Sequence, residues 1–582
     1  MKKNWKKVFP AVATLLAIAG CSSTKSNTKN STKVDDAVYC VRLDPLEKVF
    51  KEQLYFAENS DTAAVAKGET ASFQWVFRSI YPVKNLKIEA GDLTAGNHRI
   101  PANLKAFVGY VKAPYKCHTC GSGQLPARDF YDPVSDLFPD PLLDVEMVDV
   151  ASLSNQPVWV SYAVPRDASG GVYTADVTLS GEIDGQPFSL RKQVTARVYE
   201  VTLPEQTLWV TNWFMPEYLY KMNGGKPVEP FSDRYWELLK VLANSMRDHG
   251  QNTYIIRSDP EFQLDNSSLP ELIKTELSGD KYTFDFTHFD QTVEFLIREG
   301  GLKRIEGAHL GVDRRGWGSD IAIRVPGLGM RPPQDDAARN YISQFIPALY
   351  SHLKNKGWDR MYIQHVVDEP SKVQSYIDFV NYLRSLEPDM QIIEATILGE
   401  KAENCVDIHV PIIWYWEKEE AFYQKMQEAG KEVWFYISCD DPQGKYANRF
   451  YERELIQTRL LHWFNYRYHI TGYLHWALNY WKDISGDEAL YFDSERGVPS
   501  GDICIVYPAY GKVYSSIRFE AQRDGIADYE LLKLLEKKDP AKAAQLATSI
   551  IRRYDRYDNG IASFRAKRVQ LLEGLSFADR VN

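Results

Sequence analysis

Two adjacent acids, Asp368 and Glu369, stand in the segment His365-Val366-Val367-Asp368-Glu369-Pro370, just after the apolar run Met361-Tyr362-Ile363. The proline that follows predicts a helix start, because its missing N–H is lost without cost in a first helical turn. Paired carboxylates between a strand end and a helix start sit where an α/β barrel carries its reacting groups. The chemistry suited to such a pair is acid–base cleavage of a glycosidic bond. The leaving oxygen must be protonated as that bond breaks. A carboxylic acid does this near neutral pH only when burial or a neighbouring negative charge raises its pKa. Glu369 has the longer reach and is assigned as the acid. The competing reading is an acid pair held at a helix start by the helix dipole alone.

An ordinary retaining enzyme needs a second carboxylate as nucleophile, expected at the end of a seventh barrel strand. That strand reads Val433-Trp434-Phe435-Tyr436-Ile437-Ser438-Cys439-Asp440-Asp441 and holds no Glu. The absence favours a substrate that supplies its own nucleophile, the oxygen of a 2-acetamido group. Asp368 would then orient the acetamide nitrogen, and Tyr436 would hold its oxygen. Glu394, Asp440 and Asp441 are the alternative nucleophiles. Trp213, Trp414, Trp416, Trp476, Tyr480 and Trp481 crowd the other strand ends, with Asn212 and Asn479 beside them. Sugar faces stack on such rings and hydroxyls pair with such amides, although the same rings could simply fill a core. His309 and Asp313-Arg314-Arg315-Gly316-Trp317 follow the third strand and are read as a pocket wall.

These residues need a scaffold. After Leu203-Pro204, apolar strand-like runs alternate with amphipathic helices, the signature of α/β structure. Eight strands are expected at Leu208–Phe214, Thr253–Arg257, Arg304–Leu310, Arg360–Val367, Gln391–Ile397, Ile408–Trp414, Glu432–Ser438 and Thr471–Leu478. Helices are expected at Asp233–His249, Phe289–Glu299, Asp335–Lys354, Ser371–Ser385, Lys418–Ala429 and Arg449–Tyr468. This count and spacing predict a (β/α)8 TIM-like barrel over residues 206–582, with a C-terminal helical extension. An open doubly wound sheet competes, but no Gly-rich phosphate turn follows the first strand. Residues 37–205 carry short alternating segments broken by Gly, Pro, Asn and Asp, which predicts an all-β sandwich. Ile183-Asp184-Gly185-Gln186 reads as a hairpin turn there. The expected class is therefore multidomain: all-β followed by α/β.

With 582 residues the chain exceeds a single core. Its net charge of −9 gives no reason to expect nucleic acid as a partner. Met1 to Phe9 carries four lysines, and Ala11 to Gly20 is apolar but too short to span a membrane. With Leu16-Ala17-Ile18-Ala19-Gly20-Cys21-Ser22, this resembles a bacterial lipoprotein signal. Residues 1–20 are then a leader, Cys21 carries the lipid, and residues 21–36 form a flexible tether. The expected location is the cell envelope, in the outer membrane. Cys117 and Cys120 lack the second pair that a structural zinc site needs, and a local disulfide or two thiols is the preferred reading. No metal and no cofactor are expected.

One long stretch is more specific than any of these patterns. Gly501-Asp502-Ile503-Cys504-Ile505-Val506-Tyr507-Pro508 is followed by Ser515-Ser516-Ile517-Arg518-Phe519-Glu520-Ala521-Gln522-Arg523-Asp524-Gly525-Ile526-Ala527-Asp528-Tyr529-Glu530. Together with the Asp368-Glu369 pair it resembles glycoside hydrolase family 123. The resemblance implies a β-N-acetylgalactosaminidase that releases terminal β-linked N-acetylgalactosamine with retention, through substrate-assisted catalysis. It implies Asp368 as the acetamide-orienting residue and Glu369 as acid/base. The phenol role passes to Tyr436 by analogy with family 20 hexosaminidases. The turn Tyr507-Pro508-Ala509-Tyr510-Gly511 departs from a pattern usually richer in glycine. Glycan-binding without catalysis, a two-carboxylate mechanism and β-N-acetylglucosaminidase activity are the alternatives.

Overall fold

The computed structural model describes residues 37–56, 62–113, 136–256, 271–313, 320–439, 444–495 and 497–578. The leader, the tether, Cys21, Cys117, Cys120, Arg314, Arg315, Gly316, Trp317, Asp440 and Asp441 lie outside the described residues. Among the described residues no helix is long and apolar enough to cross a membrane.

Alternation of apolar and polar residues builds the β-rich first half. Its core lies between two sheets and is filled by side chains such as Phe73, Trp75, Phe77, Val160, Tyr162, Val177, Leu179 and Val194. One sheet runs Val38–Leu43, Thr70–Ser79, Asn155–Ala163 and Leu104–Lys112. The other is built on the long hairpin Gly171–Ile183 and Gln186–Thr202. That hairpin closes at Ile183↔Gln186. Its two turn residues, Asp184 and Gly185, both have positive φ, 50° and 72°. A two-residue turn of this kind matches the strand twist and selects such residues.

In the α/β half, each of the eight expected segments contains a strand. They are β1 (Trp209–Asn212), β2 (Thr253–Ile256), β3 (Arg304–Gly307), β4 (Tyr362–Gln364), β5 (Ile393–Ala395), β6 (Ile408–Val410), β7 (Trp434–Tyr436) and β8 (Gly472–His475). Every one is shorter than the apolar run that carries it. The expected ring is not one continuous ladder: β1–β8–β7, β2–β3–β4 and β5–β6 form separate parallel sheets. Single bridges join the sheets, Gln364↔Ile392 between β4 and β5, and His409↔Val433 and Ile412↔Tyr436 between β6 and β7. Between β1 and β2 the link is one main-chain bond, Asn252 N to Val210 O at 3.2 Å, reinforced by side chains. Asn252 accepts from Val210 N and donates to Leu208 O, both at 2.9 Å. Gln251 accepts from Asn212 N at 3.2 Å and donates to Asn212 O at 3.1 Å. These amides reproduce the donor–acceptor pattern of a neighbouring strand. At β8, Gly472 makes room for its neighbour, since a Cβ there would lie 2.1 Å from the Trp434 ring.

Helices Asp233–Asp248, Thr287–Gly300, Asp336–Lys356, Val373–Leu386, Glu420–Glu428 and Leu455–Arg467 occupy the expected connections. Between β5 and β6 there is only the 3-10 turn Gly399–Ala402. The helix after Pro370 starts at Val373, not at the proline, so the acid pair lies on a loop ahead of the helix.

The two halves interlock. The hairpin Ile484–Asp487 and Leu490–Asp493 leaves the α/β half and joins the first sheet of the other, Tyr491 and Phe492 pairing with Val111 and Lys112. Arg518 donates to both oxygens of Asp140, at 2.9 and 2.8 Å, with both side chains fully buried. Lys48 Nζ donates to the carbonyls of Tyr451 and Arg453, each at 2.7 Å. Glu530, on the helix Ile517–Lys538, accepts from Thr207 N at 2.6 Å and Leu208 N at 2.9 Å and so holds the chain that enters β1.

Candidate active site

Past Gln364 the chain leaves the β4 ladder because other groups take its amides. Val366 N and Val367 N donate to Glu394 Oε2 at 2.9 and 3.0 Å. The carbonyl of Val366 accepts from Gly311 N at 2.9 Å. Glu369 N returns to the carbonyl of Ala395 at 3.1 Å. Between these holds the backbone turns sharply, and Glu369 adopts φ +43°. A left-handed glutamate costs on the order of 1 kcal/mol or more and persists only where the surroundings impose it. The turn directs the Glu369 carboxylate to β7, where the Tyr436 hydroxyl donates to its Oε1. Asp368 keeps 29% of its side-chain surface and lies 3.8 Å from His309 Nε2.

Behind the pair is a layer of fully buried charge. Glu306, on β3, accepts from Thr211 Oγ1 at 2.8 Å, Trp213 Nε1 at 2.8 Å and His365 Nε2 at 2.7 Å. Glu394, on β5, accepts from Tyr376 OH and from His365 Nδ1, each at 3.1 Å, besides the two amides. His365 thus has a carboxylate on each ring nitrogen. Burial opposes a charge on its ring, but the two glutamates outweigh that penalty and push its pKa up to about 10. Burial raises the pKa of Glu394, and the hydrogen bond from His365 and the two amides oppose the rise. Donor atoms of His309, His365 and Glu394 lie within 4.8 Å of one another, close enough to span one cation. Both ring nitrogens of His365 are engaged by carboxylates, and the cluster reads as a chain of acids and imidazoles.

The remaining candidates divide. Trp213 stands edge-on to His309 and His365, with ring centroids 5.5 and 5.6 Å away. Trp476 is half-buried, and its indole N–H donates to Asp502 Oδ2 at 2.8 Å. Tyr480 packs against it at 5.6 Å. Trp414 is half-buried against Tyr415. The others are used by the protein itself. Asn212 Oδ1 accepts from Arg449 at 2.9 Å. Both amide atoms of Asn479 bind the main chain of Met215, at 2.8 and 3.1 Å. Trp481 is fully buried, and its N–H goes to Val506 O at 2.8 Å. Trp416 is packed among Tyr423, Tyr468 and Tyr554. Glu394 has both oxygens engaged and no exposed surface, which sets it behind the acid pair.

Glu306 and Asp502 were not singled out from sequence. The available signal for Glu306 was a lone acid inside the apolar run Arg304-Ile305-Glu306-Gly307-Ala308. Asp502 lay inside the family-like stretch. It accepts from His475 Nε2 at 3.1 Å as well as from Trp476, while His475 Nδ1 receives Arg449 Nη2 at 2.7 Å. Burial then holds His475 neutral, its pKa lowered to about 4.

The model of the glycoside hydrolase 123 catalytic domain matches residues 213–535, more than half of the chain. The chain belongs to glycoside hydrolase family 123. The model of that family's N-terminal domain matches residues 48–181. A family 123 glycoside hydrolase from Clostridium perfringens, described for glycolipid glycan hydrolysis, shares the fold. Its TM-score is 0.73 at 17% identity, and the match covers 94% of this chain and 98% of that one. An endo-β-1,4-mannanase from Thermotoga petrophila matches over 56% of this chain and 77% of its own at 13% identity, but its TM-score of 0.32 carries no argument. Comparison with curated proteins returns no match. This family 123 chain is thus a glycoside hydrolase with a β-rich N-terminal domain and an α/β catalytic domain. The acid pair, Trp213, Tyr436 and the motif from Gly501 to Glu530 all fall inside the catalytic match.

Proposed function

We propose that the protein is a retaining exo-glycosidase that releases terminal β-linked N-acetylgalactosamine from glycans or glycolipids by substrate-assisted catalysis. The observation that carries this reading is the pair Asp368–Glu369, with Glu369 turned to a phenol on β7 and Asp368 left partly open beside His309. Glu369 gives its proton to the glycosidic oxygen as the C1–O bond breaks. The acetamido oxygen bonds to C1 from the opposite face, which yields an oxazolinium ion and the freed alcohol. Asp368 accepts a hydrogen bond from the acetamide N–H and stabilises the positive charge that develops there, a preorganised electrostatic effect. Water then attacks C1, Glu369 takes its proton, and the acetamide is restored with overall retention. Tyr436, expected at the acetamide oxygen, is engaged with the acid/base residue, so its role in this reading is to orient Glu369. A two-carboxylate mechanism through Glu394 lacks support, because that side chain is fully buried and engaged by four donors.

We also infer that the eight parallel strands close on themselves as a (β/α)8 barrel. The bridges at Gln364, His409 and Ile412 and the side-chain seam of Gln251 and Asn252 support closure. The Cys21 leader supports a lipid-anchored envelope protein. Metabolic labelling with palmitate tests it: label is expected on the full chain and lost with C21S, and an unlabelled full chain overturns it.

Paired 4-nitrophenyl β-GalNAc, β-GlcNAc and β-galactoside substrates test the activity. Release from the GalNAc glycoside and inhibition by a thiazoline mimic of the oxazolinium ion are expected. Equal cleavage of the galactoside, or indifference to the thiazoline, overturns the mechanism.

A further inference from the structure

We propose that Glu394 is a positioning residue for the Asp368–Glu369 pair and that Glu306, His365 and Glu394 act as one charge-coupled unit beneath it. This rests on the function proposed above. Strand β5 holds the acid segment on both sides of Asp368. Ahead of it, the Glu394 carboxylate receives the amides of Val366 and Val367. Behind it, the next residue of β5, Ala395, accepts the amide of Glu369. The amides at 366 and 367 are drawn to a side chain, not to a neighbouring strand, and that diversion lets the chain bend into the left-handed turn at Glu369. Removal of the carboxylate releases the bend from one end.

The charge argument comes from the same contacts. With both glutamates ionised, an imidazole 2.7 Å from one and 3.1 Å from the other donates from both nitrogens. The unit then carries two negative charges and one positive. His365 is faced by Glu306 from β3, Glu394 from β5 and the ring of His309 from the segment after β3, 4.5 Å away. Trp213 faces it from the end of β1. Tyr376, on the following helix, reaches Glu394, and Asp368 lies beyond His309. The remaining negative charge faces the His309 ring, whose Nε2 is 3.7 Å from Glu394 and 3.8 Å from Asp368. The orientation of the acetamide-binding acid is thus coupled to a charge layer that no substrate touches.

Two variants separate the effects. E394Q removes the charge and presents a poorer acceptor to the two amides. E306Q removes the same charge on the far side of His365 and leaves the amides of Val366 and Val367 in place. On 4-nitrophenyl β-GalNAc, E394Q is expected to lower kcat by about 10- to 100-fold, the loss typical of a charge-assisted hydrogen bond, with KM changed less than threefold. E306Q is expected to keep kcat within about fivefold at its optimum. Both should gain a new alkaline limb in kcat/KM, because His365 loses one of its two carboxylates and gives up its proton at lower pH. Nitrogen-15 NMR of histidine-labelled wild-type protein should show one ring protonated on both nitrogens at pH 8.5. E394Q with wild-type kcat and pH profile overturns the positioning role, and a neutral His365 in the wild type overturns the charge-coupled unit. Wild-type protein silent on every aryl β-hexosaminide overturns the function instead, and the nitrogen spectrum then decides the unit alone. If E394Q does not fold, E306Q still decides: no new limb overturns the proposal.

Discussion

A proton donor and a charge stabiliser differ in how their loss depends on the leaving group. E369Q should lower kcat/KM on a natural glycan by about 10³-fold, within the range for general acid catalysis, and by far less on a dinitrophenyl glycoside. D368N should impair both substrates alike, because the acetamide attacks in either case. Equal losses from E369Q on both substrates contradict the acid assignment. At this scale the acids were readable because a strand end, two carboxylates and a proline stand in sequence. Glu306 and Glu394 were not readable as supporting groups. Their meaning depends on His365, which only the parallel order β3–β4–β5 brings between them. Asn479 and Trp481 misled for the opposite reason: their residue types suit a sugar, but local carbonyls and amides claim them first.

Strand β1 meets β2 largely through side chains, and the seam has a measurable cost. N252A removes the acceptor of Val210 N in a buried setting, while Leu208 O keeps its second donor, Gln206 Nε2 at 2.8 Å. An orphaned buried backbone group costs roughly 1–3 kcal/mol, so the urea midpoint should fall by an amount equivalent to about 1–3 kcal/mol. A change under ~0.5 kcal/mol would show that the main-chain bond from Asn252 N to Val210 O suffices. The eight strands were legible as apolar runs with helical stretches between them. Their true lengths were not, because hydropathy does not reveal that Glu394 captures amides at the end of β4. The late start of the helix after Pro370 has the same origin.

Over the whole molecule, pH and the joint between the halves decide stability. Burial lowers His409, His462 and His475 to about 4. The unfolded chain binds protons at these sites near pH 6.5, so stability should fall as pH drops from about 6.5 toward 4. The slope is up to about 1.4 kcal/mol per pH unit for each. His365 acts in the opposite sense. Its folded value is raised to about 10, so its contribution is complete below about 6.5 and declines as pH rises toward 10. Thermal denaturation from pH 4 to 10 should therefore show a maximum, with the steeper fall on the acid side; a flat profile contradicts these assignments. D140N tests the joint. It leaves Arg518 buried without its charge partner, which costs about 3–5 kcal/mol and should shorten the thermal inactivation half-life sharply. Sequence separated the two halves at the change of pattern near Leu203 but gave no sign of the hairpin that returns from one to the other, since both its partners are unremarkable alternating segments.

That returning hairpin constrains inheritance. A genetic crossover near residues 203–206 would deliver an N-terminal half without strands Leu490–Asp493 and Ile484–Asp487, its sheet ending on bare N–H and C=O groups along Val111 and Lys112. The exchanged remainder would carry a hairpin with no host sheet. Such chimaeras expose open strand edges and aggregate. Shuffling the hydrolytic half onto new companions therefore requires the two cuts to fall together, and lineages that keep the activity should carry both halves as one transmitted unit.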